Sequence, residues 1–303
     1  MTSRFQMKWV IGDSDHGNLV REFLKKEDIS RTALTDIKFK GGCILVNGEE
    51  VNVRYRLAAN DELTVIFPIE SPGEGLLGEE IPLSILYEDE FLLVVNKPAG
   101  MNTIPSREHP VGSLANALVG YYQHFGLKAT SHIVTRLDRD TSGIVLIAKH
   151  RHVHHLFSLM QRSGDVKRTY VAFAEGVLSP DQGTIKAPIG RKEDSIIERE
   201  VREDGQYACT HYRVLEKHPA FTYVELSLDT GRTHQIRVHM SYLKHPLLGD
   251  DLYGGDLTFI DRQALHCKKI KFMHPFHKKE MEFSAPLPKD MGDLLIDEIR
   301  NDV

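Results

Sequence analysis

The chain has 303 residues, with 38 Lys and Arg against 43 Asp and Glu, a formal charge of −5 and a sequence pI near 6.3. A content of 41% hydrophobic and 27% charged residues is that of a globular protein, which excludes disordered, collagenous and coiled-coil classes. No apolar run approaches the ~18–20 residues of a membrane span, and the acidic balance argues mildly against a nucleic-acid partner, whose phosphates need a basic face.

The opening MTSRFQMKWV lacks the apolar core of an export signal. Cys43, Cys209 and Cys267 stand far apart and read as reduced thiols, so the expected location is the cytoplasm. The length suggests about two domains. Residues 1–68 are electrically neutral and read as helix, helix, then strands. His16 to Lys26 carries Leu19, Phe23 and Leu24 on one helical face, and Ser30 can cap a second helix that stops at Gly41-Gly42. Cys43–Val46, an Asn47-Gly48 turn and a strand over Leu63–Phe67 complete a small α/β unit, with Lys25, Lys26, Arg31, Lys38 and Lys40 on or beside its helices.

Residues 69–90 hold seven acids and no Lys or Arg, and 69–80 reads as an acidic linker. The remainder, 81–303, is expected to form a second domain. Its strand-like runs are 91–96, 143–148, 169–176, 211–216 and 222–228, and its helical runs are 114–125, 152–161 and 233–243. Strands predominate without regular helix alternation, which predicts an α+β fold with a mixed, mainly antiparallel sheet.

Several patterns are decoys. Gly73 to Gly78 matches GxGxxG but lies among acids with no helix after it, so it would repel a pyrophosphate. His150, His152, His154 and His155 have no carboxylate or cysteine nearby to complete a metal site, and they open an amphipathic helix. Asp140-Thr141-Ser142-Gly143 and Asp229-Thr230-Gly231 resemble the paired loops of an acid protease. Arg139 and Arg232 stand where that dyad needs apolar or small hydroxyl neighbours.

Residues 132–150 read as strand, polar loop, strand, a layout that puts side chains at the mouth of a sheet. Asp138 lies there between Arg136 and Arg139. Nearby cations favour the charged form of a carboxyl, and a carboxylate in a cleft can act as nucleophile or general base. A structural Arg–Asp network is the plainer reading of that loop. Residues 228–250 add a strand end, a Gly turn, Thr233 as the expected N-cap, and Arg232, Arg237, His234 and His239 about a helix start, which suits capture of a phosphate or of a catalytic carboxylate.

TRLDRDTSG (135–143), NKPAG (96–100), KRTYVAFAEG (167–176), GRTHQIRVH (231–239) and LHCKKIKFMHP (265–275) occur in the chain. Together they resemble the RluA/RluD-type family of RNA pseudouridine synthases over roughly residues 80–288. Residues 1–68 look like the small RNA-binding domain named after ribosomal small-subunit protein four. The resemblance implies the pseudouridine synthase fold, a monomer, no cofactor and no metal. It implies Asp138 as the essential aspartate, Arg136 as the arginine entering the RNA stack, Tyr170 packing on the extruded uracil, Arg237 pairing with the aspartate, and Leu265 lining the uracil pocket. Thr135 stands where the family commonly has histidine, and Cys267 where alanine is more usual.

The expected substrate is structured RNA, ribosomal in preference to transfer RNA because of the extra domain. The alternatives are a non-catalytic RNA-binding or ribosome-assembly factor, and an acid protease that needs Asp229. Charge by segment supports RNA better than the total does. The acids concentrate in 69–90 and 290–303, while residues 262–279 carry six basic side chains and no acid.

Overall fold

The computed structural model describes residues 4–73, 75–127 and 129–301. Strand β1 (Gln6–Val10) opens the chain, followed by helices α1 (Val20–Lys26) and α2 (Arg31–Phe39) and strands β2 (Cys43–Val46), β3 (Glu49–Glu50) and β4 (Glu62–Ile66). The four strands form an antiparallel sheet in the order β1-β4-β2-β3. Phe23, Leu24 and Ile37 from the helices bury against Ile44, Val46, Leu63 and Val65. Ser30 caps α2 as expected, its Oγ accepting from the Ala33 amide at 3.1 Å. Asn47 and Gly48 both take positive φ (53° and 86°), which the tight β2–β3 turn requires. Strand β1 was not anticipated, because it lies at the sheet edge with no fully buried side chain to mark a pattern. Helix α1 begins at Val20 rather than His16, since Asp13–Asp15 form a 3₁₀ turn and Gly17 reverses the chain at φ +82°.

No strand or helix is described between Phe67 and Ile85, and Glu74, inside the GxGxxG match, lies outside the described residues. The acidic stretch is nonetheless tied down. Glu70 contacts His132 and accepts from the Arg151 amide, Leu77 accepts from Asn116, and the Glu79 carboxylate accepts from the Gly112 amide.

The rest of the chain runs β5 (Ile85–Glu88), β6 (Leu92–Lys97), α3 (Leu114–His124), β7 (His132–Ile133), β8 (Ser142–Ala148), α4 (Arg151–Ser163), β9 (Lys167–Glu175), β10 (Gln182–Lys186), β11 (Ile189–Arg191), β12 (Arg199–Val201), β13 (Cys209–Lys217), β14 (Phe221–Leu228), α5 (Gln235–Tyr242), β15 (Leu265–Met273), β16 (Glu280–Ser284) and α6 (Lys289–Asn301). Ten of these strands make one sheet, ordered β10-β13-β14-β9-β15-β8-β6-β5, with β16 beside β15 and β7 beside β8. Its described pairings are antiparallel except β15 with β8, so the predicted α+β class with a mixed, mainly antiparallel sheet holds.

Strand β8 (SGIVLIA) is buried at every position, which explains its unbroken apolar run. The parallel step beside it depends on Gly143. That residue has φ +114°, and a Cβ there would lie 2.3 Å from the Cys267 carbonyl oxygen, so only glycine lets the two backbones meet. The acidic C-terminal segment forms α6, anchored by buried Met291 and by Asp290, which Arg262 grips through Nε at 2.6 Å and Nη2 at 2.9 Å.

The histidine run at 150–155 meets the N-terminal unit. His150 stacks on Phe5 at 4.1 Å, His152 stacks on Phe67 at 5.5 Å, and Arg151 pairs with Asp36. Both ring nitrogens of His152 are buried without a hydrogen-bond partner in the structure. Burial pushes the pKa of His150 and of His152 down to about 4. Below its unfolded value near 6.5 each side chain takes a proton only in the unfolded chain, so stability falls as pH drops from about 6.5 toward 4, by about 1.4 kcal/mol per pH unit per histidine. His152→Phe should therefore narrow the gap in unfolding free energy between pH 7 and pH 5, measured by urea titration, by about 2 kcal/mol.

Candidate active site

The loop 135–141 is clamped through its backbone, which leaves its charged side chains outside. Thr135 Oγ1 accepts from the Leu146 amide at 2.9 Å. Thr103 Oγ1 donates to the Leu137 carbonyl at 2.6 Å and accepts from its amide at 3.2 Å. Arg262 donates to the Asp140 carbonyl at 3.0 Å, and Gln263 donates to Thr141 Oγ1 at 3.2 Å. The centre of the clamp is Lys97, the last residue of β6 and 1% exposed. Its Nζ donates to the carbonyls of Pro98, Met101 and Arg139 at 2.8, 2.7 and 3.0 Å. Burial lowers the Lys97 pKa from 10.5 to about 7, against the pull of Asp140 and Asp138. Three carbonyls around one nitrogen, however, match the three N–H groups of an ammonium. A neutral amine offers two and turns its lone pair on the third oxygen, so the cage itself favours the charged form.

Asp138 stands on this loop with 30% of its side chain exposed. Arg136 and Arg139 are exposed beside it, and Arg136 makes no ion pair among the described residues. Facing Asp138 is α5. Arg237 Nη1 lies 3.6 Å from Asp138 Oδ2, and His234 Nε2 lies 3.9 Å from Oδ1. The principal partner of Arg237 is the fully buried Asp250, gripped through Nε at 2.7 Å and Nη2 at 2.6 Å. Burial opposes the charge on Arg237, but Asp250 and Asp138 together hold its pKa above the ordinary value. The arginine stacks over the Tyr253 ring at 4.9 Å.

Tyr170 and Leu265 are brought in by adjacent strands. Tyr170 sits opposite Cys267 and Leu265 opposite Ala172, so the four share one face of the β9–β15 ladder. Both are buried, at 4% exposure. The Tyr170 hydroxyl accepts from Arg168 at 3.0 Å, and burial drives its pKa well above that of a free phenol. The expected N-cap is corrected. Thr233 precedes it, and His234 takes the position at φ +56°, with no side-chain cap bond. The turn is instead tied by Gln235, whose Oε1 accepts from Thr230 and the Arg232 amide and whose Nε2 donates to Cys209 and Thr210.

Sequence reasoning singled out Asp138, Arg136, Arg237, Tyr170 and Leu265, and passed over Lys97, Asp250, Tyr253 and Arg168. Lys97 was visible in NKPAG, and Asp250 and Tyr253 in GDDLYG, but nothing local marked either carboxylate or cation as buried. A cavity of about 680 Å³ touches the loop at Lys97 and Ser142 and is bounded by Arg262, His266, Pro288 and Asp290. Asp138, Tyr170 and Arg237 do not line it.

Among the described residues, two clusters of side chains could hold a metal ion, Asp89 with His274 and His277, and Cys209 with His211 and Asp229. Asp89 already accepts from the Phe91 and Leu92 amides and the Tyr87 hydroxyl, and His274 bonds it at 3.0 Å. Asp229 is bonded by His211 at 2.9 Å at the surface rather than by a second aspartate, so it does not form the shared-proton dyad of an acid protease.

Residues 91–242 match the model of the RNA pseudouridylate synthase family. The uncharacterized RNA pseudouridine synthase YjbO of Bacillus subtilis is 54% identical over 276 residues, covering 91% of this chain and 98% of that protein. The chain belongs to the RNA pseudouridine synthase family. A ribosomal large subunit pseudouridine synthase D from Xanthomonas campestris is 36% identical over 282 residues, 88% of this chain and 84% of its own. Human RNA pseudouridylate synthase domain containing 4 shares the fold, with a TM-score of 0.59 at 24% identity over 72% of this chain and 93% of that one. In this synthase, as among those relatives' names, the chemistry is isomerisation of uridine in RNA. Its described helices include none long and apolar enough to cross a membrane.

Asp250→Asn should leave the Arg237 guanidinium buried without its counter-charge. We expect a loss of about 3–5 kcal/mol of unfolding free energy in urea titration, together with a fall in isomerase activity.

Proposed function

We propose that this synthase converts uridines of ribosomal RNA to pseudouridine with Asp138 as its catalytic residue. The observation that carries the reading is the position of Asp138, on a backbone-clamped loop and facing an arginine that is itself locked to a buried carboxylate. The reaction breaks N1–C1′, turns the uracil, joins C5 to C1′, and exchanges the C5 hydrogen for a proton on N1. Atoms and electrons balance without an external reagent. Asp138 can serve as base at C2′ toward a glycal or as nucleophile at C1′. Either route needs the carboxylate form, and Arg237 Nη1 faces that carboxylate from 3.6 Å.

A base in a helix must be flipped out, at a cost of a few kcal/mol. Arg136, exposed and unpaired among the described residues, is suited to fill the vacated stack. Tyr170 and Leu265, adjacent and buried, suit the floor of a uracil pocket, where an aromatic contact returns ~1–3 kcal/mol. Residues 1–68, 69–80 and 81–303 are read as RNA-binding domain, linker and catalytic domain. Ribosomal RNA is preferred because relatives named as large-subunit synthases match over most of their length, and because α2 exposes Arg31 and Lys38 with Lys38 over the Phe39 ring at 4.6 Å.

Asp138→Asn should abolish tritium release from RNA labelled at uridine C5 while the unfolding midpoint stays within a few degrees of wild type; full activity in that variant sinks the reading. Replacing Arg31 and Lys38 by Ala should reduce the slope of log affinity against log salt by about 2. The single-turnover rate at saturating RNA should be nearly unchanged.

A further inference from the structure

The reading of Asp138 leaves one neighbour without a task. His234 is half-buried, its side chain 11% exposed, and it points Nε2 at Asp138 Oδ1 from 3.9 Å. It holds a left-handed backbone, φ +56° and ψ +19°, a conformation that a side chain with a Cβ takes at a cost and that concentrates at functional sites. Its other nitrogen is engaged as well, with Nδ1 2.8 Å from the Tyr253 hydroxyl.

The tyrosine's own partners suit it as the donor in that bond. Tyr253 Oη accepts from the Arg199 amide at 3.0 Å, and its single proton has no acceptor among the described residues other than His234 Nδ1. With the hydroxyl as donor to Nδ1, a neutral imidazole carries its hydrogen on Nε2, facing Asp138. Arg237, three residues along the same helix, approaches the other carboxylate oxygen. The charged or titratable groups around the imidazole are Asp138 from the loop before β8, Arg237 on α5, Asp250 and Tyr253 from the turn after it, and Arg199 on β12. Burial disfavours the imidazolium, with Asp138 acting in the opposite sense.

We infer that His234 is a positioning residue for Asp138, presenting Nε2–H to Oδ1 so that the carboxylate is held at both oxygens in the RNA complex. The inference rests on Asp138 being the catalytic residue. A separation of 3.9 Å is long for a hydrogen bond, but contacts of this kind commonly tighten only in the substrate complex. The arrangement fixes one rotation of the carboxylate and aims one lone pair at the sugar. A misplacement of about 1 Å at a reacting group can cost on the order of 100-fold in rate. Protonating His234 would place an imidazolium against Asp138 and weaken it as base or nucleophile, which contributes to the acidic limb of the rate profile.

The test is single-turnover tritium release from C5-tritiated total RNA of a strain deleted for the gene, with thermal unfolding of each variant alongside. His234→Ala should lower the rate about 10–100-fold, with RNA affinity within about threefold. His234→Gln, which keeps an N–H donor near the same place but does not titrate, should recover to within about fivefold of wild type and shift the acidic limb to lower pH. Should His234→Ala fold poorly, Tyr253→Phe takes its place, and a rate loss of about 3–10-fold at unchanged affinity is expected. A His234→Ala rate within twofold of wild type, or a His234→Gln acidic limb that does not move, overturns the inference. So does a wild-type rate in Tyr253→Phe. An active Asp138→Asn in the same assay instead overturns the reading on which the inference rests.

Discussion

One buried ammonium organises the loop on which the proposed chemistry stands. Lys97 leaves β6 in register with Gly143 of β8, and its Nζ gathers carbonyls from its own strand end, from Met101 and from Arg139. Carbonyl dipoles converging on a point repel one another unless a cation sits among them. With it in place the chain before β8 is fixed at its backbone, and Thr103, Thr135, Arg262 and Gln263 add their own bonds. A loop whose backbone needs are met internally can spend its side chains outward, and Arg136, Asp138 and Arg139 do so. The residue that matters most to the loop's shape thus touches no solvent.

A second charge layer meets the first from α5. Arg237 is bound twice by Asp250 and so cannot collapse onto Asp138, which stays partly exposed. The carboxylate is left close to positive charge yet not consumed by it. A direct bidentate pair between Asp138 and Arg237 would lower the energy of the resting carboxylate and blunt its reactivity. The buried Asp250 prevents that, at the desolvation cost that any interior ion pair carries.

The longer strands and helices of residues 91–242 were legible, the strands as apolar runs such as that of β8, which is buried on both faces, and the helices by their 3.6 period, as in the spacing of Leu114, Leu118 and Tyr122 in α3. Strand β1 was not legible, since an edge strand buries little. Neither were β10 to β12, short segments each with at most one buried side chain to mark a pattern. Asp138 and Arg237 announced themselves by dense local charge. Asp250 and Lys97 did not, because their burial is set by the tertiary packing around them and leaves no local pattern. The misplaced N-cap has the same origin. Thr233 is the better capping residue by type, but Gln235 satisfies the turn from inside the helix and leaves His234 facing Asp138.

The sheet order carries a consequence for how the protein comes into being. Strands β5 to β8 form one half of the sheet, and β9, β10, β13 and β14 form the other, and the two halves are joined through β15, which begins at residue 265. Asp138 belongs to the first half, while Tyr170 and Arg237 belong to the second. During synthesis Asp138, Tyr170 and Arg237 therefore emerge before the strand that joins their halves of the sheet, and the parallel register of His266 on Ser142 closes a span of 124 residues. A chain arrested between residues 238 and 264 has every proposed site residue except Leu265 already made and no strand to join the two halves, so activity in this enzyme reports that synthesis has passed β15.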